Sequence, residues 1–243
     1  GLPAFAARRR FADRLAVGVR GAARLVSTLR IAPSLLAADF ARLADALSIA
    51  EEGGADLVHV DVMDGHFVPN LTIGPPVVRA LRNATRMALD VHLMIETPEE
   101  TLSEYLDSGA DWVSVHVEAT RHLQRCLALI RKGGAKAGAA LNPATPPELL
   151  SSAWSDLDYA VVMSVNPGWG GQAFLPGSVE KVRRLRAAAS EAGVRLVVEV
   201  DGGVDTGNSR ALVSAGAEIL VAGTAIYGAD DPAAAIGRLR ASA

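Results

Sequence analysis

The stretch LVHVDVMDG, residues 57–65, is apolar through its first seven residues except at His59 and Asp61. In a strand, residues two apart face the same way. His59 and Asp61 therefore point together, into a barrel or toward its mouth. Gly-Ala-Asp (54–56) precedes the stretch. The same phrase, or Gly-Ala-Glu, recurs at 109–111 and 216–218, again ahead of an apolar run. It reads as a helix exit turning into the next strand.

Working outward, seven more runs of this kind appear. They are LRIAPSLLA (29–37), MALDVHLM (87–94), DWVSVHVEA (111–119), AGAALNP (137–143), YAVVMSVNP (159–167), RLVVEV (195–200) and EILVAGTAI (218–226). Mostly apolar runs suit parallel strands covered on both faces. The stretches between them carry helical periodicity. Asp39 can cap a helix whose Phe40, Leu43 and Leu47 share a face, and Ser178 similarly precedes Val179, Val182 and Leu185. Thr120 precedes a helix with Leu123, Cys126, Leu127 and Ile130 at i, i+3, i+4, i+7 spacing. Several of these helices run into glycine, which suits a left-handed C-terminal cap. Eight βα units in about 215 residues fit a single (β/α)8 TIM barrel over 29–243. A doubly wound open sheet would need fewer strands or more residues.

Composition agrees. Half of the 243 residues are apolar and the net charge is −3, against general nucleic-acid binding. No apolar stretch reaches the length of a membrane span. Cys126 is the one cysteine, so an intramolecular disulfide and a Cys-x-x-Cys metal site are both excluded. Its apolar helix face makes it a small buried hydrophobe. Residues 1–28 differ from the rest. They hold six arginines (Arg8, Arg9, Arg10, Arg14, Arg20, Arg24) and one acid, Asp13, the composition of an organelle transit peptide.

Four residues carry the chemistry. His59 and Asp61 share a strand face, His92 lies near the end of the third strand, and Asp201 follows the seventh. Active sites of such barrels form at the C-terminal ends of the strands. Buried carboxylates are costly unless paired or bound to metal. Two imidazoles and two carboxylates converging on one mouth therefore predict a divalent-metal site. A mixed nitrogen–oxygen set suits Zn²⁺, Mn²⁺, Fe²⁺ or Co²⁺ more than a soft thiolate metal, and the residues alone do not choose among them. The loop NPGWGGQ (166–172) follows the sixth strand, and its Gly168, Gly170 and Gly171 let the backbone approach an anion. Gly202-Gly203 after strand seven and Gly223-Thr224 near strand eight strengthen that reading. Met63, Met94 and Met163 lie near strand ends, as packing or as an apolar lining. Ser34 suits either a substrate hydroxyl or a turn. His116 and Glu118 share a strand face without an evident partner constellation and read as structural or as support behind the site residues. Together, metal, two acids and a phosphate cradle point to proton abstraction beside a carbonyl in a sugar phosphate.

The stretches APSLLAADF (32–40), HVDVMDGHFVPNLTIG (59–74), DVHLM (90–94), MSVNPGWGGQAF (163–174), VDGGV (200–204) and VAGTAIY (221–227) resemble the ribulose-phosphate 3-epimerase family. The likeness runs from about 29 to 240. It implies a barrel of the ribulose-phosphate-binding type that interconverts D-ribulose 5-phosphate and D-xylulose 5-phosphate. It implies a metal on His59, Asp61, His92 and Asp201, with Asp61 and Asp201 as the acid/base pair. Ser34, His92, Gly168, Trp169, Gly170, Gly171, Asp201, Gly202, Gly203, Gly223 and Thr224 map to substrate and phosphate contacts. Relatives often carry Ser where this chain has Thr224, and both offer a hydroxyl. The resemblance also implies a homo-oligomer, dimer or hexamer, and favours a plastid destination over mitochondrion or cytoplasm. A 3-epimerase of a ketohexose 6-phosphate would share every motif. A metal-free lyase or synthase barrel would not need the His₂Asp₂ set. A non-catalytic phosphosugar-binding barrel would not need both aspartates. No hydride moves, so no nicotinamide is expected.

Overall fold

The computed structural model describes residues 29–243, and the transit-like composition of 1–28 falls outside the described residues. The eight strands are β1 (Arg30–Pro33), β2 (Leu57–Met63), β3 (Ala88–Met94), β4 (Trp112–His116), β5 (Lys136–Leu141), β6 (Tyr159–Met163), β7 (Val197–Asp201) and β8 (Ile219–Ala222). All neighbours pair in parallel, in the order β1-β8-β7-β6-β5-β4-β3-β2. The ring nearly closes between β1 and β2. Ser34 bridges His59 there, and Asp56 N–H donates to Ile31 O at 3.0 Å while Ile31 N–H donates to the Asp56 carboxylate at 2.8 Å. This is the expected (β/α)8 barrel and not an open doubly wound sheet.

The two-residue period of each strand sorts its side chains. Val58, Val60, Val62, Leu89, Val91 and Leu93 face outward into the main core under the helices. The alternate positions fill the barrel. Ala32, Leu57, Ile219 and Val221 pack with Trp112 and Val197, while Ala140, Tyr159, Val161, Met163 and Val165 form a second cluster. Four of the barrel-filling rows carry polar pairs: His59 and Asp61 on β2, Asp90 and His92 on β3, Ser114 and His116 on β4, Glu199 and Asp201 on β7. All are buried but Asp201, which is intermediate.

The helices are α1 (Leu43–Glu52), α2 (Pro75–Ala84), α3 (Leu102–Asp107), α4 (Leu123–Lys132), α5 (Gly177–Glu191), α6 (Ser209–Ala215), α7 (Thr224–Tyr227) and α8 (Pro232–Ser242). A 3₁₀ segment, Pro147–Ala153, links β5 to β6. Gly216 ends α6 in the left-handed conformation, φ 112°, as the Gly-Ala-Glu phrase implied.

Local expectations need four corrections. Asp39 caps a 3₁₀ turn, Phe40–Arg42, ahead of α1, so Phe40 falls off the apolar face and is 43% exposed. Ser178 is the second residue of α5, buried, because the helix already starts at Gly177 after Pro176. Thr120 accepts from His122 N–H instead of capping α4. The β8 run stops at Ala222, because Gly223-Thr224 opens α7. No helix among the described residues is long and apolar enough to cross a membrane.

Cys126 is buried on α4 against Leu127 and Ile130. Burial pushes its thiol up, although the Thr120 hydroxyl at 3.5 Å works the other way. A thiol of this kind is slow to form thiolate. The purified protein is therefore expected to keep its activity under mild oxidant or reductant and to label slowly with thiol reagents. A strong reversible response abolished by Cys126→Ser would contradict this burial argument.

Candidate active site and metal centre

Strand register builds the site. Asp61 on β2 stands beside His92 on β3, and Asp201 closes β7 beside Met163. His59 Nε2 lies 3.4 Å from Asp61 Oδ1 and 3.9 Å from Asp201 Oδ2. His92 Nδ1 lies 3.6 Å and 3.7 Å from the same two oxygens. All four ligand atoms fall within 4.8 Å of one another. A tetrahedral ion with bonds of about 2.0–2.2 Å needs ligand atoms roughly 3.3–3.6 Å apart, close to the spacings found. Two further facts fit a cation. His59 Nε2 and His92 Nδ1 are buried and have no hydrogen-bond partner. An unpaired buried imidazole nitrogen is costly, and a cation between these atoms removes that cost.

Without a cation, the electrostatics of the two carboxylates diverge. Burial raises Asp61, but the charge of His59, with His92 close beside it, holds it well below the usual carboxylate range. Burial and the Asp61 charge push Asp201 up to about 7, against the pull of His59. Carboxylates split in this way divide into a base and an acid. Burial also opposes charge on His59, yet Asp61 and Asp90 keep its imidazolium well above the ordinary range. Burial lowers His92 to about 4, with His116 and His59 adding to the shift against the pull of the neighbouring Asp61.

Above the carboxylates opens a cavity of about 330 Å³. Ser34, Asp61 and Asp201 line it, with Met63, Met94 and Met163 on the apolar side. Gly168, Trp169, Gly170, Gly171, Gly202, Gly203, Gly223 and Thr224 form its rim. The glycines named for anion approach are thus gathered into one wall, and among the described residues no lysine or arginine lines it. An anion there would meet backbone N–H groups instead of cationic side chains. Gly202 is sterically required. Its φ is +118°, and a Cβ would sit 2.5 Å from Val165 Cγ2 and 2.9 Å from the Val165 backbone nitrogen. Asn70 ties the two mouth loops together by donating its side-chain N–H to Gly168 O at 2.9 Å.

The Ser34 hydroxyl donates to Asp61 Oδ2 at 2.6 Å, so it holds the carboxylate as well as facing the cavity. His59 and His92 are fully buried behind the carboxylates. Three residues escaped sequence reasoning. Asp90 Oδ2 lies 2.7 Å from His59 Nδ1, the Tyr159 hydroxyl donates to Asp90 Oδ1 at 2.9 Å, and Glu199 Oε1 lies 3.3 Å from His59 Nδ1. Asp90 and Glu199 stand two residues before His92 and Asp201, so the strand period was the available signal.

A carboxylate pair and an imidazole pair thus lie beneath a glycine-walled cavity at the C-terminal end of the barrel, where enzymes of this fold carry their chemistry. Residues 30–227 match the ribulose-phosphate 3 epimerase family. The chain is 47% identical to the ribulose-phosphate 3-epimerase of Bacillus subtilis, over 88% of this chain and 99% of that one. It is 48% identical to the chloroplastic ribulose-5-phosphate-3-epimerase of Arabidopsis thaliana, over 89% of this chain and 78% of that one. Among solved structures, a 3-hexulose-6-phosphate synthase superposes with a TM-score of 0.62 at 23% identity, covering 88% of this chain and 99% of that one. That likeness concerns the fold alone. The chain belongs to the ribulose-phosphate 3-epimerase family, and with it to the isomerases that epimerise pentose phosphates.

Proposed function

We propose that this chain interconverts D-ribulose 5-phosphate and D-xylulose 5-phosphate, with Asp61 and Asp201 exchanging the C3 proton and His59, Asp61, His92 and Asp201 holding a divalent cation. The carrying observation is the convergence of two unpartnered imidazole nitrogens on two carboxylates at the floor of the glycine-walled cavity.

One carboxylate removes the proton from C3, and the C–H electron pair passes into an enediolate across C2 and C3. The other, protonated, carboxyl returns a proton to C3 from the opposite face and gives the epimer. The pair ends with its protonation states exchanged, so either direction starts from one ionised and one protonated aspartate. Ser34 holds the Asp61 carboxylate in place. The three methionines leave the reacting carbons in apolar, polarizable surroundings. A bound divalent cation supplies Lewis-acid stabilisation of negative charge on substrate oxygens. Zn²⁺ is the first candidate for this mixed donor set, with Fe²⁺, Mn²⁺ or Co²⁺ as alternatives.

The direct test is a coupled assay with ribulose 5-phosphate, before and after chelation. Turnover should vanish on chelation and return with metal. Preference for a ketohexose 6-phosphate in the same assay would transfer the mechanism to a longer substrate.

Metal uptake should depend on pH. Asp201, at about 7, and the His59 imidazolium must both lose protons to become ligands. At pH 6 both are protonated, while at pH 8 Asp201 is ionised. Affinity should therefore rise with pH, by about tenfold per unit for each proton displaced. Chelator competition at pH 6, 7 and 8 measures this, and a flat profile would contradict the assigned ligands.

Gly170→Val probes the phosphate wall. A Cβ at Gly170 meets nothing within 4 Å, so the variant should fold normally. Its branched side chain should block an anion's approach to the backbone. The expected result is a raised KM and weaker inhibition by inorganic phosphate at unchanged Tm. If KM and phosphate inhibition stay as in the parent, the phosphate lies elsewhere.

We also propose a plastid destination. Its support is the Arg-rich, acid-poor composition of residues 1–28 and the likeness to a chloroplastic relative. A fluorescent-protein fusion to residues 1–28 tests it.

A further inference from the structure

The His92 nitrogen turned away from Asp61 and Asp201 meets no carboxylate directly. This Nε2 lies 2.9 Å from Nε2 of His116, and the two rings stack at 5.0 Å between centroids, 21° apart. His116 Nδ1 in turn lies 3.1 Å from Glu118 Oε2. Both imidazoles are wholly buried. Phe67 covers the other side of His116, with ring centroids 4.7 Å apart. Glu118 is anchored by the backbone N–H of Asn142, which donates to Oε1 at 2.8 Å, and by the Thr145 hydroxyl. Lys181 reaches the same loop, donating to the carbonyls of Asn142 and Pro143 at 2.6 and 2.7 Å.

The chain of contacts has one consistent direction. A carboxylate accepts, so His116 Nδ1 carries the proton toward Glu118. In a neutral imidazole the other nitrogen is then an acceptor. His116 Nε2 therefore accepts, and His92 Nε2 must donate. That leaves His92 Nδ1 as a bare lone pair, and this is the buried, unpartnered nitrogen that faces Asp61 and Asp201.

We propose that His116 and Glu118 are positioning residues that fix the tautomer and ring orientation of His92 for metal binding, by a relay of two hydrogen bonds running from Glu118 at the end of β4. The inference rests on the reading of His59, Asp61, His92 and Asp201 as metal ligands. It gives a role to two residues that the proton-transfer step does not use. His59 reaches its carboxylate, Asp90, in one step, whereas His92 reaches Glu118 in two.

The test compares Zn²⁺ affinity, by chelator competition, in the parent and in His116→Phe, His116→Gln and Glu118→Gln, all measured well below their Tm. His116→Phe keeps the ring stack and removes the acceptor, so affinity should fall about 10–100-fold. His116→Gln restores an acceptor through its amide oxygen and should recover part of the loss. Glu118→Gln keeps shape and lowers acceptor strength, and affinity should fall several-fold. Nitrogen-15 spectra of the metal-free parent at neutral pH should show His92 protonated on Nε2, and His116→Phe should mix the tautomers. Unchanged Zn²⁺ affinity in both His116→Phe and Glu118→Gln would overturn the proposal, as would an Nδ1-protonated His92 in the parent. A parent that binds no Zn²⁺ would instead overturn the ligand assignment on which it rests.

Discussion

Asp61→Asn and Asp201→Asn are each expected to bring epimerisation close to background. A positioned acid or base contributes on the order of 10²–10⁴-fold, and each aspartate is also assigned as a metal ligand, so weakened metal binding adds to the loss. The two variants should differ in stability. Asp61 accepts from Ser34 and neighbours both imidazoles, and an amide there leaves buried donors poorly matched. Asp201 is pushed up by burial and by the Asp61 charge, so neutral Asn relieves a repulsion in the metal-free chain. Metal-free Asp61→Asn should therefore melt below the parent, and metal-free Asp201→Asn at or above it. Steady-state kinetics with calorimetry on metal-free and reloaded protein reads both effects. Near-normal turnover in either folded, metal-replete variant would rule out a mechanism with two carboxylates.

Gly138→Ala should be the most damaging single-methyl change inside the barrel. Gly138 on β5 pairs with Tyr159 on β6, and a Cβ there would lie 2.3 Å from the ring of Tyr159, which is fully buried. Removing a glycine from a strand ordinarily stabilises by about 0.4–1 kcal/mol. Here overpacking against a rigid ring should cost about 2–3 kcal/mol, a fall in Tm of roughly 4–12 °C for a domain of this size. Tyr159 also donates to Asp90, which holds His59, so metal affinity should fall as well. Gly177→Ala, where a Cβ meets nothing within 4 Å, is the control and should leave Tm nearly unchanged. A thermal melt of Gly138→Ala at or above the parent would show that the ring has room to move.

Both predictions show how unevenly the molecule could be read in its sequence. The barrel was legible because each strand repeats one pattern, apolar outward and mixed inward, and because Gly-Ala-Asp and Gly-Ala-Glu mark the turns into strands. His59, Asp61, His92 and Asp201 were legible as polar groups in or beside apolar runs, and the glycine pairs as backbone gathered at the barrel mouth. Asp90, Glu199 and Tyr159 were not singled out, although they obey the same two-residue period. Their partners lie 31 to 140 residues away in the chain, and only strand register brings them together. His116 shows the same limit: its stack on His92 depends on β3 and β4 lying side by side. Helix starts were the weakest part. Pro176-Gly177 and Gly223-Thr224 set backbone geometry before the side-chain caps that periodicity would choose.

The central claim is that the C3 proton leaves substrate to one aspartate and is replaced from the other. It is tested most directly by following ribulose 5-phosphate by proton NMR in deuterated buffer with metal-loaded protein. The expected result is xylulose 5-phosphate carrying deuterium at C3 from the first turnovers, with C1 unlabelled and both Asp→Asn variants silent. Xylulose 5-phosphate formed with its original hydrogen retained at C3, or with label at C1 instead, would contradict the assignment of Asp61 and Asp201 as an acid/base pair on opposite faces of the substrate.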